Sequence, residues 1–504
     1  MDLAAPGICL ALPTNRACAP AIADVGAEAA WAAREFGVRV HLLILDSADA
    51  ATRAEHEKAV ADLPAVPGVL VHHLDEEQQR AFLRSVIDRA RTATPTPAAA
   101  TPTPTPATPA PAAAGADRLL GLMLPDTVSY GACTNRAFLF AAALGCSSLH
   151  RRDSDSTYQE LDGEPVFPIH HELRSIGRRA ADAAPGVTHR TLDPAHAAKP
   201  VALVGSSFIG ELSVDLGEVR ALDPEVYEEV VGLWAATGST AEERRKLVAD
   251  SFTGNGTDPF THDRAVLDLP DIWRIDMCNI ALDHELYERV PLPPATDTIG
   301  SDYFLHHLVL NAGLPGVTHN RNIVNHYTSE RRTDAGFLAY QLRFTKFLLS
   351  MLYLHPVYDA LEAAGGALLD EDHHVRPGAV AGFARRAAGE DRAENHRRLA
   401  VLDRAYRRLG GRYADFADHL LPRRERLLDE AQADIEAFAL LVDAWGPLVA
   451  AARAVPPAPS DADLLAPAAA PATVPAPAPT SVPAPTGASG RPGRSTTGRS
   501  TAHA

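Results

Sequence analysis

Three short apolar runs, each followed by a stretch of helical periodicity, constrain this chain most. "GICLALPTNR" is stopped by Pro13 and followed by the Ala-rich "APAIADVGAEAAWAAREFG". "VRVHLLILDSAD" leads into "EHEKAVADLP", and "GVLVHHLD" into "EEQQRAFLRSVIDRAR". Continuous apolar runs that alternate with amphipathic helices predict parallel strands buried on both faces, the βαβ pattern of an open α/β sheet. Gly37 is suited to end the first helix.

Folding resumes at "ADRLLGLMLP", and "YGACTNRAFLFAAALGC" is predicted as a helix. "SSLHRRDSDS" follows as a fourth strand, which ends at Asp153 and Asp155. Ligands of open α/β sheets bind outside the carboxyl ends of the strands. In an extended segment residues i and i+2 project to one side. Two carboxylates there form a hard-oxygen site for Mn²⁺ or Mg²⁺; the alternative is a solvated turn with capping aspartates.

Other candidates fall on the same sheet edge. Pro13, Thr14, Asn15 and Arg16 close the first strand, with hydrogen-bonding groups for a nucleotide and a cation for phosphate. Asp46, ending the second strand, could accept from a base N–H. Arg151 and Arg152 sit beside the aspartates, as phosphate contacts or as offsets to their charge. Further on, "DIWRIDMCNIALDHELYERVPLPPATDTIGSDYFLHHLVLNAGLPGVTHNRNIVNHYT" gathers many polar groups. In it Asp302 opens a helix, as a general base or a cap. Asp297 precedes it. His319 or His326 could complete a metal site, with His326 the favoured ligand.

Composition narrows the class. The chain has 504 residues and a net charge of −17, from 64 acidic and 47 basic side chains, which argues against a nucleic-acid partner. Five scattered cysteines without CxxC fit a reducing compartment and no disulfide framework. No membrane span is expected, and the N-terminus lacks the basic region of a signal peptide. The expected location is therefore the cytoplasm. Two low-complexity stretches, a Pro/Thr/Ala insertion at 92–114 and a tail at 455–504, are expected to be disordered. Roughly 430 residues remain for two or three domains. Residues 331–454 are expected to form a separate helical region, a candidate acceptor lid or surface for homo-oligomers.

Together, "ICLALPTNR", "VHLLILDSAD", "ACTNRAFLFAAALGCSSLHRRDSDS" and the "DMCNIALDHELYERV" to "NRNIVNHYT" segment resemble a GT-A type, family 2-like glycosyltransferase over about residues 7–330. The chain is also similar to an uncharacterised family of bacterial proteins. The resemblance implies a GT-A fold, a mixed and mainly parallel sheet flanked by helices, with the helical region following it. It implies a nucleotide-diphosphate sugar donor and an acceptor hydroxyl. It places Mn²⁺ or Mg²⁺ on Asp153 and Asp155 with His326, and makes Asp302 the candidate base, with Asp297 as a second candidate catalytic residue. Asn135 and Arg136, in the helix before the fourth strand, are then donor-binding, as are Arg152 and Asp153. The family's usual Arg-Asn order appears reversed at Asn135-Arg136, and "LDSAD" replaces its usual acidic pair with Gly-Ser.

Competing readings are weaker. A sugar nucleotidyltransferase needs a Gly-rich loop after the first strand, and "PTNRACAP" has no glycine. A dehydrogenase needs GxGxxG, and a zinc hydrolase of the HExxH type needs that motif; neither occurs. A non-catalytic nucleotide-binding or scaffold protein remains the alternative from another class.

Overall fold

The computed structural model describes residues 7–92, 115–212, 216–252, 256–327 and 332–455. The Pro/Thr/Ala insertion from residue 93 and the tail from residue 456 lie outside the described residues. The three expected βα units are present: β1 (Ile8–Thr14), β2 (Val40–Asp46) and β3 (Val69–Leu74), followed by helices Ala19–Phe36, Ala50–Ala61 and Glu76–Thr92. Gly37 ends the first helix in the left-handed region, at φ 65°. All seven residues of β2 are buried, as expected of a strand covered by helices on both faces.

The fourth strand, β4 (Ser148–Arg152), pairs in parallel with β1. Beyond it come β5 (Ser156–Thr157), the small hairpin of β6 (Glu160–Leu161) and β7 (Glu164–Pro165), β8 (His189–Arg190), β9 (Leu203–Gly205) and β10 (Phe208–Gly210). The last strands are β11 (Ala265–Asp268), β12 (Asn279–Asp283), β13 (Gly316–His319) and β14 (Ile323–Asn325). Nine of them form one sheet in the order β3-β2-β1-β4-β12-β9-β13-β11-β8. It is mixed and mainly parallel: β12 runs against both neighbours, and β11 runs against β13. The chain winds outward from β1 through β2 to β3 and then returns to place β4 on the other side of β1. The β1/β4 boundary is therefore the point where strand order reverses, where crevices open in such sheets. A second sheet, β10-β14-β5, sits just past the ends of β4 and β9.

Residues 332–455 are helical as expected, with helices Asp334–Ala364, Pro377–Ala387, Ala393–Leu409, Gly411–Leu420 and Arg424–Arg453. They do not build a separate core. One continuous cluster of buried side chains runs from β1 and β4 through Phe304 to Phe438 and Trp445. The rings of Phe304 and Phe438 lie 4.7 Å apart, and the indole N–H of Trp445 donates to the Tyr287 carbonyl at 2.8 Å. The boundary near 331 is a change of element type, not of core. The stretch Gly411–Arg453 contains an 18-residue window of mean hydropathy 1.6, long and apolar enough for a bilayer, and 67% of that window is buried in the fold, as in a core helix.

Candidate functional site

The two aspartates at the end of β4 lie in a turn. Asp153-Ser154-Asp155 is a tight reversal between β4 and β5, held by the Ser156 hydroxyl donating to the Asp153 carbonyl at 2.9 Å. The segment is not extended, so the two carboxylates do not share a face by strand alternation. The turn nonetheless places both on the wall of one cavity of about 550 Å³. Asp302 lines the same cavity, with Arg151, Ser207, Asp276, Cys278 and Tyr303. It opens at the carboxyl ends of β4 and β9 and the amino end of β12.

Arg151 is the hub. It is buried, and its guanidinium reaches Asp153 Oδ1 at 3.0 Å and Asp302 Oδ2 at 3.3 Å while donating to the Met277 carbonyl at 3.0 Å. Arg16, on the loop after β1, bridges to Asp155 Oδ2 at 3.1 Å. The loops flanking the strand-order reversal are thus joined by opposite charges. Gly300 stands at φ 73° against the Phe347 ring, which a Cβ would meet at 2.8 Å. A side chain there would be strained twice over, and this turn is what leads Ser301 and Asp302 inward.

The acids crowd one another. Burial lifts the Asp302 carboxyl to about 6; Arg151 opposes this, and the negative charges of Asp276 and Asp153 add to it. Asp276 is also raised, by desolvation and by Asp153, against a hydrogen bond from Tyr303. Hard oxygen donors that raise each other's proton affinity are a donor set that a divalent cation relieves, so the residues present fit such an ion. The sequence reading did not single out Asp276 or Tyr303. The signal available was Asp276's place just before a strand that starts at the same edge.

The other expected residues are placed elsewhere. His326 is exposed; its ring lies 3.0 Å from the Thr157 hydroxyl and its backbone N–H donates to the Asp155 carbonyl at 3.0 Å. Pairing of β14 with β5 brings it beside the aspartate turn, but its imidazole does not line the cavity. Asp297, at φ 48°, donates its N–H to Val128 and is near Arg426 rather than the cavity. Pro13 and Thr14 end β1; the Thr14 hydroxyl bonds the Arg16 carbonyl at 3.0 Å, and Asn15 is exposed.

Asp46 is buried among internal partners. The Ala48 N–H donates to it at 2.9 Å, and His56 Nδ1 and His73 Nε2 lie 2.8 and 2.9 Å away. Because the Cys18 N–H donates to His56 Nε2, the proton of neutral His56 sits on Nδ1, aimed at Asp46. Burial opposes ionisation, but these hydrogen bonds hold the Asp46 carboxyl down at about 2.

Asn135, Arg136 and Arg152 are likewise committed inside the fold. Asn135 bonds both the N–H and the C=O of Leu292 at 2.8 Å, as a strand partner would. Arg136 donates to Gln79 and to the Met123 carbonyl at 2.9 and 2.7 Å. Arg152 forms two bonds with Glu28, at 3.0 and 2.8 Å, and one with Glu172 at 2.9 Å. Asn135→Ala would orphan two buried backbone groups, at about 1–3 kcal/mol each. The expected outcome is a lowered denaturation midpoint with ligand binding at the cavity intact. Loss of binding without loss of stability would contradict this assignment.

Among the described residues, three groups of histidines and carboxylates have ligand atoms within 4.8 Å of one another: Asp46 with His56 and His73, His170 with His171 and Asp263, and Asp370 with Asp372 and His374. Asp153, Asp155 and His326 are not such a group.

No curated protein matches the chain. Among solved structures, it is similar to "Mannosyltransferase PcManGT from Pyrobaculum calidifontis in complex with GDP-Man and Mn2+", at 13% identity over 86% of each chain and a TM-score of 0.31. At that score the likeness bears on neither substrate nor mechanism. A family model matches residues 6–100 and 107–461. The chain therefore belongs to the family described as "Family of unknown function (DUF6271)".

Proposed function

We propose that the chain is a divalent-cation-dependent glycosyltransferase that moves a sugar from a nucleoside diphosphate sugar to an acceptor hydroxyl. One observation carries the reading. At the strand-order reversal, Asp153 and Asp155 share a cavity wall with Asp302, a buried carboxyl whose proton affinity is raised to about 6. A paired acid for the cation and a separate acid for the proton are the two groups such a transfer asks of the protein.

Asp153 and Asp155, with Asp276 adjoining, would hold the cation, which when bound neutralises charge on the leaving diphosphate. Arg16 and Arg151, which pair with the aspartates, offer charge-assisted bonds to phosphate oxygens. Asp302 takes the proton of the acceptor hydroxyl as the oxygen bonds to the anomeric carbon. The bond from that carbon to the diphosphate oxygen breaks, and the diphosphate leaves with the electron pair. At pH 7 Asp302 is mostly ionised and still basic enough to accept, the compromise a general base needs.

The test is release of nucleoside diphosphate from a panel of nucleotide sugars with Mn²⁺, first with water as the acceptor. The expected result is slow release from one donor, abolished by EDTA and restored by Mn²⁺. No diphosphate from any donor, or release of nucleoside monophosphate instead, would overturn the proposal.

A further inference from the structure

The cavity has a second character that the transfer chemistry does not use. Adjoining the carboxylates, its wall is aromatic and aliphatic. Trp234 forms the centre, with ring centroids 5.4 Å from Trp273, 5.6 Å from Phe252 and 5.3 Å from Phe347. Leu247 and Met277 line the same cavity. Trp273 leaves 54% of its surface in water, although a neighbouring indole of this kind is normally worth burying. Phe252 stands at φ 53°, a backbone state that a bulky L-residue adopts only at a cost of order 1–3 kcal/mol and that clusters at ligand clamps. An exposed ring and a strained one on the same wall point to a surface finished by something bound there.

The lining limits what that is. Among the described residues, no Asn, Gln or Lys lines the cavity, so its side chains offer an acceptor no amide and no ammonium. Six carboxyl-bearing residues line it, Glu243 and Asp250 among them, against the single arginine Arg151. The two histidines of the wall, His307 and His355, are lowered to about 4 by burial and add no positive charge at neutral pH. A phosphorylated or carboxylated acceptor would meet like charge. A volume of about 550 Å³ is in the range of sites for small molecules.

We infer that the acceptor is a small, uncharged alcohol or phenol with an apolar body, its hydroxyl at Asp302 and its body on Trp234, Trp273, Phe252 and Leu247. This rests on the glycosyl-transfer reading for the role of the hydroxyl. The apolar site itself stands on the wall alone.

The experiment uses the full chain without nucleotide. Binding of 2-naphthol and 1-decanol is measured by calorimetry beside 2-naphthyl phosphate and decyl phosphate. The neutral pair is expected to bind and the phosphates to bind at least tenfold more weakly. Trp273→Ala and Leu247→Arg, at exposed and half-buried positions, are each expected to weaken naphthol binding at least tenfold. Equal binding of the phosphates, no binding of either neutral compound, or binding indifferent to both wall substitutions would overturn the inference. Neutral binding without metal-dependent nucleotide binding would sink the transferase reading and spare the apolar site. Nucleotide binding without neutral binding would do the reverse.

Discussion

Asp302→Asn is expected to lower donor turnover by about 10²- to 10⁴-fold, the usual contribution of a positioned general base, while nucleotide binding persists. Asparagine keeps the shape and an oxygen that can accept from Arg151, but it cannot take a proton. The fold should not suffer. A carboxyl raised from 3.8 to about 6 contributes stability that is fully present below pH 3.8 and is lost as pH rises through 6. Above pH 7 the neutral amide therefore relieves the crowding with Asp276 and Asp153, and the melting temperature of the variant should equal or exceed that of the wild type. Wild-type turnover should rise with pH as Asp302 ionises, and the variant's residual rate should lack that rise. A variant within threefold of wild-type turnover would remove Asp302 from the mechanism.

The second large effect is on stability and lies behind the site. Glu28, from the middle of the first helix, is fully buried. It receives two bonds from Arg152, one from the Ile169 N–H at 3.0 Å and one from the Tyr158 hydroxyl. Arg152 also meets Glu172, which lies 2.7 Å from His150 Nδ1. Burial disfavours the charge on Glu172, but Arg152 and His150 outweigh it and hold the carboxyl at about 2. Glu28→Ala removes one partner from this network and leaves Arg152 incompletely compensated, a change that costs about 3–5 kcal/mol when a buried pair is broken. Urea denaturation should show it as a lower midpoint with unchanged slope, and Glu28→Gln should fall between. Because Glu172 is lowered, its contribution is present above pH 4.5 and lost as pH falls toward 2. Loss of under 1 kcal/mol in Glu28→Ala would mean that the network does not hold the end of β4. The functional link is direct, since Asp153 follows Arg152.

The first four strands and the helices between them were legible because apolar runs bounded by turn residues leave little else for β1 to β4 to be. The location of Asp153 and Asp155 followed from that series, and Asp302 was singled out as a carboxylate opening a helix. What the chain concealed were partners distant in sequence. Glu28 looks like a surface residue in "GAEAAW", and only its spacing from Ile22 and Val25 hints that it shares their buried side; Arg152 is 124 positions away.

Asn135 and Arg136 stand out in an apolar helix, as ligand-binding residues do. A polar side chain that satisfies a buried backbone leaves the same trace. The helical region was read as separate because periodicity reveals that a helix has an apolar face and not which surface that face meets. Asp276 lies in the same polar segment but opens no helix, the signal that set Asp302 apart.

The central claim is tested most directly by the thermal stability of the full chain with a panel of nucleoside diphosphates, with and without Mn²⁺, in the wild type and in Asp153→Ala/Asp155→Ala. Ligand at 100 times its Kd stabilises the fold by about 2.7 kcal/mol, a readable rise in melting temperature. The account predicts that rise for one diphosphate, only with Mn²⁺ and only in the wild type. A rise that ignores the metal or survives the double substitution, or no rise with any nucleotide, would contradict it and leave Asp-Ser-Asp as a turn.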